Sequence, residues 1–288
     1  MKNFKSLSDF NSYLGVPASL RDEIDVGLYH GYPLRLSSPS VSADFYRISI
    51  KHNFQGEHIL ENYQPDFSGN AFMFFSSPKQ SFHWDTSEPW RGYYVQMHPA
   101  LIHNNKHLFY NFLEYGQHEG LYLTEAETQK ITELFNQVYT GYHDKSINSD
   151  ILLGYVHLLF SFINLFYKRQ FKDHQEGHNR ITQRFVNLLN EYYPKEYHKG
   201  SGTPSVNFFA EKLCITPNYL SDTIKAITGI SPIDHIHQHI VAEAKGLLRD
   251  NSLTSSEVAF QLGFDYPNYF SRLFRKVTGV SPSEYRNQ

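Results

Sequence analysis

Cysteine is almost absent. Cys214 is the only one in 288 residues, which excludes an intramolecular disulfide framework and a zinc site of four thiolates. Charge is sparse too. Lys, Arg, Asp and Glu make up 19% of the chain against 40% hydrophobic residues, so the chain can bury a core and is not a disordered polyelectrolyte. The opening stretch, MKNFKSLSDFNSYLG, lacks the apolar segment of a secretory signal. No apolar run reaches the ~20 residues of a bilayer span. The greasiest stretch, Ile151 to Tyr167, is interrupted by Gly154, His157, Ser161 and Asn164. These absences predict a cytoplasmic protein with no membrane partner. At ~150 residues per domain the length suggests two domains.

The net charge of −3 argues weakly against nucleic acid, but it is unevenly spread. From Asn179 to Gln288 there are 12 Lys and Arg against 10 Asp and Glu, a net +2. The remainder carries 14 against 19, a net −5. The C-terminal part is the mildly basic one.

The N-terminal part reads mostly as strands. Val41 to Lys51 alternates and is rich in β-branched and aromatic residues, and Glu57 to Tyr63, Ala71 to Phe75 and Gly92 to His98 are similar. Turn material separates them, as a sandwich or barrel requires. The pattern changes at Thr124, where Thr124 and Glu127 form a capping-box signature. Ile131, Leu134, Phe135 and Val138 follow at helical spacing. A second helix, about Ser149 to Phe171, is apolar nearly all round and is expected to be buried. The two read as an antiparallel pair, with a subunit contact as one use of the surplus apolar face. Residues 173–179 are polar and aperiodic and read as a linker. Arg180 to Tyr193 returns to helix, and Pro194 to Pro204 reads as a loop.

The strongest signal is an internal repeat. PNYLSDTIKAITGISP (Pro217 to Pro232) and PNYFSRLFRKVTGVSP (Pro267 to Pro282) are identical at eight of sixteen positions, at an offset of 50. A short amphipathic segment precedes each copy: Val206 to Cys214 and Glu257 to Phe264. Each unit, about 205–229 and 255–279, therefore reads as helix, tight turn, helix. Thr216 is the expected N-cap and Pro217 the first helical residue. Gly229 and Gly279 take the left-handed position that ends the helix. In the second copy Gly263 supplies the turn and Asp265 or Tyr266 the cap.

This is helix-turn-helix geometry, in which the second helix enters the major groove. Candidate DNA contacts are Asn218, Ser221, Asp222 and Lys225 in the first unit, and Asn268, Ser271, Arg272, Arg275 and Lys276 in the second. Asn suits adenine, Arg guanine and phosphate, and Asp cytosine N4. Tyr219, Phe270, Leu273 and Phe274 read as core. Between the units, Pro232 to Arg249 is helical by pattern and spans roughly 27 Å. A rod of that length can set two recognition helices about one DNA turn apart, ~34 Å.

Three further segments resemble a known family. They are Phe260 to Phe264 (FQLGF), Tyr269 to Lys276 (YFSRLFRK) and Gly279 to Arg286 (GVSPSEYR), and they look like the signature of AraC/XylS-family bacterial transcription regulators. The likeness covers about the last 110 residues. It implies an all-α, seven-helix DNA-binding domain over 180–288 with two helix-turn-helix subdomains joined by a linker helix. By position, base reading would fall on Asn218, Ser221 and Asp222, and on Asn268 and Arg272. An acidic residue at 222 departs from the family's usual basic reader. More weakly, Ser76 to Trp84, Trp90 to Tyr93 and Met97 to Pro99 are similar to the family's cupin-like sensor domains. The fold class implied is α+β multidomain. A β jelly-roll with a helical pair (about 124–172) fills residues 1–172 as sensor and dimerisation domain. Double-stranded DNA, a second copy of the chain, RNA polymerase and a small-molecule effector are the implied partners, and no cofactor is.

His83, Trp84, Trp90 and Tyr93 are the candidate effector contacts. These aromatics, with Phe72, Phe74, Phe75 and Tyr94, either line a cavity or simply pack the sandwich. His235, His237 and His239 alternate along the linker helix, and the first and last have zinc-compatible i,i+4 spacing. Without a local carboxylate or Cys the reading is a solvated or phosphate-facing stripe, with no metal. Cys214 reads as a small buried hydrophobe. Two alternatives stay open. One is a metal-dependent cupin enzyme with an appended helical module, and the other is a regulator whose N-terminal domain only dimerises.

Overall fold

The computed structural model describes residues 1–52, 71–116, 119–173, 175–249 and 252–287. The strand expected over Glu57 to Tyr63 lies outside the described residues. The chain divides into two compact units, Met1–Asp173 and His174–Gln288.

The first unit opens with β1 (Lys2–Phe4) and α1 (Leu7–Leu14), then β2 (Ile24–Leu28), β3 (Ser37–Ala43), β4 (Tyr46–His52), β5 (Ala71–Ser76), β6 (Ser81–Asp85) and β7 (Arg91–Met97). A short helix α2 (Pro99–Asn104), two 3-10 turns, β8 (Leu121–Tyr122), α3 (Glu125–His143) and α4 (Ser149–Asp173) complete it. One sheet has the order β1-β3-β6, the other β2-β7-β4-β5-β8. Pairing in the larger sheet is antiparallel throughout.

The stretch Val41 to Lys51, expected as one strand, is two strands in two sheets. β3 pairs with β1 and β6, and β4 pairs with β5 and β7. The reason lies in the parity of the side chains. Val41, Ala43 and Phe45 are apolar at odd positions, and Tyr46, Ile48 and Ile50 at even ones. A strand keeps its faces only at period two, so the slip at Phe45 forces a corner.

One face of the larger sheet packs on helices. Phe75 meets Phe112 and Tyr167, and Tyr93 stacks on Phe135 of α3 at 5.8 Å. α3 begins at the predicted capping box. Glu127 N–H donates to Thr124 Oγ1 (3.3 Å), and Thr124 N–H donates to Glu127 Oε2 (2.9 Å). Arg169 of α4 donates Nε–H to Glu127 Oε1 (3.0 Å), locking the helix pair. Leu152, Val156, Leu159, Phe160, Ile163 and Tyr167 of α4 are buried. Each such side chain contributes ~1.5–3 kcal/mol. Burial of the whole helix was expected, but Ile151, Leu158 and Leu165 are exposed. Over Ser149–Phe171 the helix is long and apolar enough, by length and composition alone, to cross a membrane, a property that the core helix of a soluble protein shares. The interrupting Gly, His, Ser and Asn dilute the run without ending it.

The second unit is helical: α5 (Gln175–Glu191), one-turn α6 (His198–Ser201), α7 (Val206–Leu213), α8 (Pro217–Thr228), α9 (Pro232–Leu248), α10 (Ser255–Gln261), α11 (Pro267–Thr278) and α12 (Pro282–Arg286). Helix occupies 175–179, inside the stretch read as linker. Its polar residues have ordinary helix propensity, and the one glycine costs only ~1 kcal/mol. α8 packs on α5, α7 and α9, and α11 packs on α9, α10 and α12. Phe185, Phe209, Leu220, Ile224, Ile236, Phe270 and Phe274 are fully buried and form the hydrophobic interior.

Candidate nucleic-acid interface

The repeated residues build a frame. Thr216 Oγ1 accepts from Tyr219 N–H (3.3 Å), and Pro217 opens α8. Thr228 Oγ1 donates to Ile224 O (2.8 Å) and accepts from Ile230 N–H, and Gly229 ends the helix at φ 81°. Thr278 makes the same pair of bonds with Phe274 O and Val280 N–H, and Gly279 ends α11 at φ 85°. Ser231 and Ser281 then cap α9 and α12, each ahead of a proline at the first turn. Pro, Thr, Gly and Ser recur because each terminates or starts a helix.

The copies differ where the side chains leave the frame. Position 222 is Asp and its counterpart 272 is Arg; 225 is Lys and 275 Arg; 226 is Ala and 276 Lys. Lys225, Asn268, Arg272, Arg275 and Lys276 are exposed, and Asn218, Ser221 and Asp222 are half-buried. α11 carries its three cations with no acid of its own. Acids approach from neighbours: Glu284 of α12 lies within the field of Arg275, and Asp234 of α9 within that of Lys276. His237 of α9 is held below its ordinary value by burial and by Lys276. Lys276 of α11 therefore faces the edge of α9, where an acid and a neutral histidine bound the basic face.

A helix-turn-helix domain family matches residues 209–288. The C-terminal domain of the two-component response regulator yesN from Fusobacterium nucleatum is 30% identical to this chain. That likeness covers 36% of this chain and 96% of that one, with a TM-score of 0.33. The C-terminal domain of AraT, a response regulator from Geobacillus stearothermophilus, is 34% identical over 36% of this chain and 84% of that one, with a TM-score of 0.32. The chain belongs to the AraC-type helix-turn-helix regulators. A transcriptional regulator from Chromobacterium violaceum, described as AraC-type, is 19% identical over 39% of this chain and 95% of that one, with a TM-score of 0.33. No curated protein matches.

Several AraC-type site expectations take a different form in the structure. Ser221 Oγ donates to Pro217 O (2.8 Å) and Ser271 Oγ to Pro267 O (3.1 Å), so both hydroxyl protons are spent inside the helix. Each serine keeps only an acceptor for a base edge. Tyr266 supplies the cap position of α11 without a side-chain bond. Cys214, expected to be buried, is exposed at φ 57°. It ends α7 where α10 has the Gly263 turn, so backbone geometry outranks its hydrophobicity. The three histidines do not form one solvated stripe. His235 Nε2 lies 3.0 Å from Thr228 Oγ1, and His239 stacks on Tyr193 at 5.9 Å.

Sequence reasoning missed Tyr269. Its repeat counterpart Tyr219 is 4% exposed, but Tyr269 is 55% exposed, with the Arg272 guanidinium 4.8 Å from its ring centroid. Tyr266, beside it, is also exposed. The two copies bury their equivalent positions against different neighbours, and nothing in the repeat itself reports this.

In the first unit His83, Trp84 and Trp90 line one cavity together with Arg47, Ser49, Lys51, Phe74, Phe75, Ser76 and Phe82. Tyr93 points to the opposite face of the sheet, against α3. Phe74 and Phe75 border this cavity, whereas Phe72 contacts Tyr122. Among the described residues no group of three or more His, Cys, Asp or Glu is placed to hold a metal ion.

Proposed function

We propose that this AraC-type regulator reads two successive major grooves with one monomer. Each helix pair, α7–α8 and α10–α11, acts as a helix-turn-helix subdomain. α9, about 26 Å long at ~1.5 Å per residue, sets the spacing between them. The single observation that carries the reading is the shared frame with divergent outward residues at 222/272, 225/275 and 226/276. Affinity comes chiefly from phosphate neutralisation by Arg275, Lys276 and Lys225, and specificity from Asn218, Asp222, Asn268 and Arg272. Ser221 and Ser271 contribute as acceptors.

The N-terminal unit acts as a cupin-like sensor, and a small effector in the Trp84–Trp90 cavity shifts the population of DNA-binding arrangements. α4 dimerises the protein. Its exposed Ile151, Leu158 and Leu165 recur every seven residues, the spacing of a helix–helix seam. RNA polymerase is the partner of the assembled complex.

The test is affinity for DNA selected from a random pool, measured across salt. The expected plot of log K against log[salt] is steep. Lys276→Ala lowers its slope by about 1 while weakening all sequences alike. Arg272→Ala costs about 1–3 kcal/mol and relaxes preference at one base position. A flat plot, or an unchanged preference in Arg272→Ala, sinks the assignment.

A further inference from the structure

The interior of the N-terminal unit is charged in a way its strands do not require. β4 sends Ile48 and Ile50 to the helix-covered face and Arg47, Ser49 and Lys51 to the other. In register with the latter are Gln96, Tyr94 and Gly92 of β7, and Ser76, Phe74 and Phe72 of β5. That second face does not meet water as an alternating strand's polar face usually does. The Arg47 guanidinium carbon lies 4.2 Å from the ring centroid of Phe10 in α1 and 5.3 Å from that of Phe82 in β6. Lys51 is 8% exposed, and its Nζ lies 3.2 Å from the Trp90 ring centroid and 4.3 Å from that of Phe74.

Hydrogen-bond donors are in surplus here. Arg47 Nε and Trp90 Nε1 are buried without a hydrogen-bond partner among the described residues, while Tyr29 OH lies against Arg47 and Ser49. Trp90 is 8% exposed and Tyr29 0%. On the same face, among the described residues, Gln96 Oε1 is a buried acceptor in the same condition. The nearby buried carboxylate, Asp25, is engaged elsewhere. It accepts from Asn11 Nδ2 (2.7 Å), Gln96 Nε2 (3.4 Å) and Tyr142 OH (3.1 Å). No described carboxylate lies within ion-pairing distance of Arg47.

A buried guanidinium N–H that lacks an acceptor, as Arg47 Nε does, is costly, and such a group persists where a ligand completes it. Aromatic faces offset part of the cost but offer no hydrogen-bond geometry to a guanidinium. Burial, and then the neighbouring Arg47, hold Lys51 well below its ordinary value; an anion between the two cations would reverse that.

We infer that this cavity binds a small carboxylate, its oxygens on Arg47 and Lys51 with Trp90 N–H in reach, and its short acyl chain against Phe74 and Phe82. The inference rests on the effector reading above and names the chemical class. The guanidinium fork matches a carboxylate in two-pronged geometry. The cavity volume, about 40 Å³, is a few times the ~10–15 Å³ one water needs. That suits a ligand of acetate to propionate size.

The experiment uses the full chain and sodium propionate. Thermal unfolding is followed at constant ionic strength, with propionamide, sodium chloride and inorganic phosphate as comparisons. The expected result is a rise in unfolding midpoint with propionate alone. Arg47→Met abolishes that rise, and its own midpoint without propionate is no lower than that of the unsubstituted protein, because a costly buried cation is gone. A merely structural Arg47 gives the opposite, a lowered midpoint. Trp90→Phe, which keeps a ring and deletes the N–H, weakens the propionate response about tenfold and serves if Arg47→Met does not fold. No propionate-specific rise, or the same rise in both variants, overturns the inference. DNA affinity with and without propionate separates the two readings. A midpoint shift with unchanged DNA affinity upholds the carboxylate site and removes its effector role. No shift in a protein that still binds DNA removes the site and leaves the DNA reading standing.

Discussion

Cys214 stands at a position where the backbone wants glycine. It turns the chain between α7 and α8 at φ 57° and ψ 37°, and an L-residue there costs roughly 1–2 kcal/mol. The second copy solves the same turn with Gly263 at φ 85°, where a Cβ would meet the backbone of Gly202 at 2.6 Å. Cys214→Gly is therefore expected to stabilise the full chain by about 1 kcal/mol, read as a higher urea midpoint with unchanged DNA affinity. An unchanged or lower midpoint would show that this turn is held by something other than its dihedral preference. The same comparison shows how far single residues were legible. Caps and helix-ending glycines were readable at Thr124, Thr216, Gly229 and Gly279, because each acts through its own backbone. The exposure of Cys214 and Tyr269 was not, because it depends on which neighbours pack nearby.

At the scale of elements, α4 separates what a helix buries from what it leaves over. The side turned to its own unit carries Leu152, Val156, Phe160 and Ile163, and the other side keeps Leu158 43% and Leu165 55% exposed. If α4 is the dimer seam, Leu158→Glu puts a charge into it and weakens association at least tenfold. Light scattering at several concentrations reads this out, with circular dichroism confirming a folded chain. Gln129→Ala, at an exposed site on α3, is the control and leaves the oligomeric state unchanged. Retention of the dimer by Leu158→Glu would move the interface elsewhere. β4 shows the same kind of surplus inside the fold. Its alternation was visible, but its polar side was not assignable to the interior until α3 and α4 were seen to occupy the apolar side.

For the whole molecule, the rod-like α9 makes a geometric prediction. If one monomer reads two grooves, inserting about 5 base pairs between its two contact sites turns one groove to the far side of the duplex. Inserting about 10 restores the face but adds ~34 Å, more than α9 can span. Both insertions are expected to reduce binding to the level of a single subsite in a gel-shift titration. Recovery with the longer insertion would mean that the two helix pairs move independently and that the spacing is set by something softer than a helix.

The amino-acid sequence by itself determined the helical C-terminal half, its duplicated frame and the basic bias of α11, and with them the family. Those features rest on capping, periodicity and charge, which act over a few neighbouring residues. Only the tertiary structure decided that Val41 to Lys51 turns a corner between two sheets, that Tyr219 is buried while Tyr269 is open, and that Arg47 and Lys51 face inward. Each depends on which distant segment covers a given face, and burial is set by partners far away along the chain, not by the residue's own chemistry.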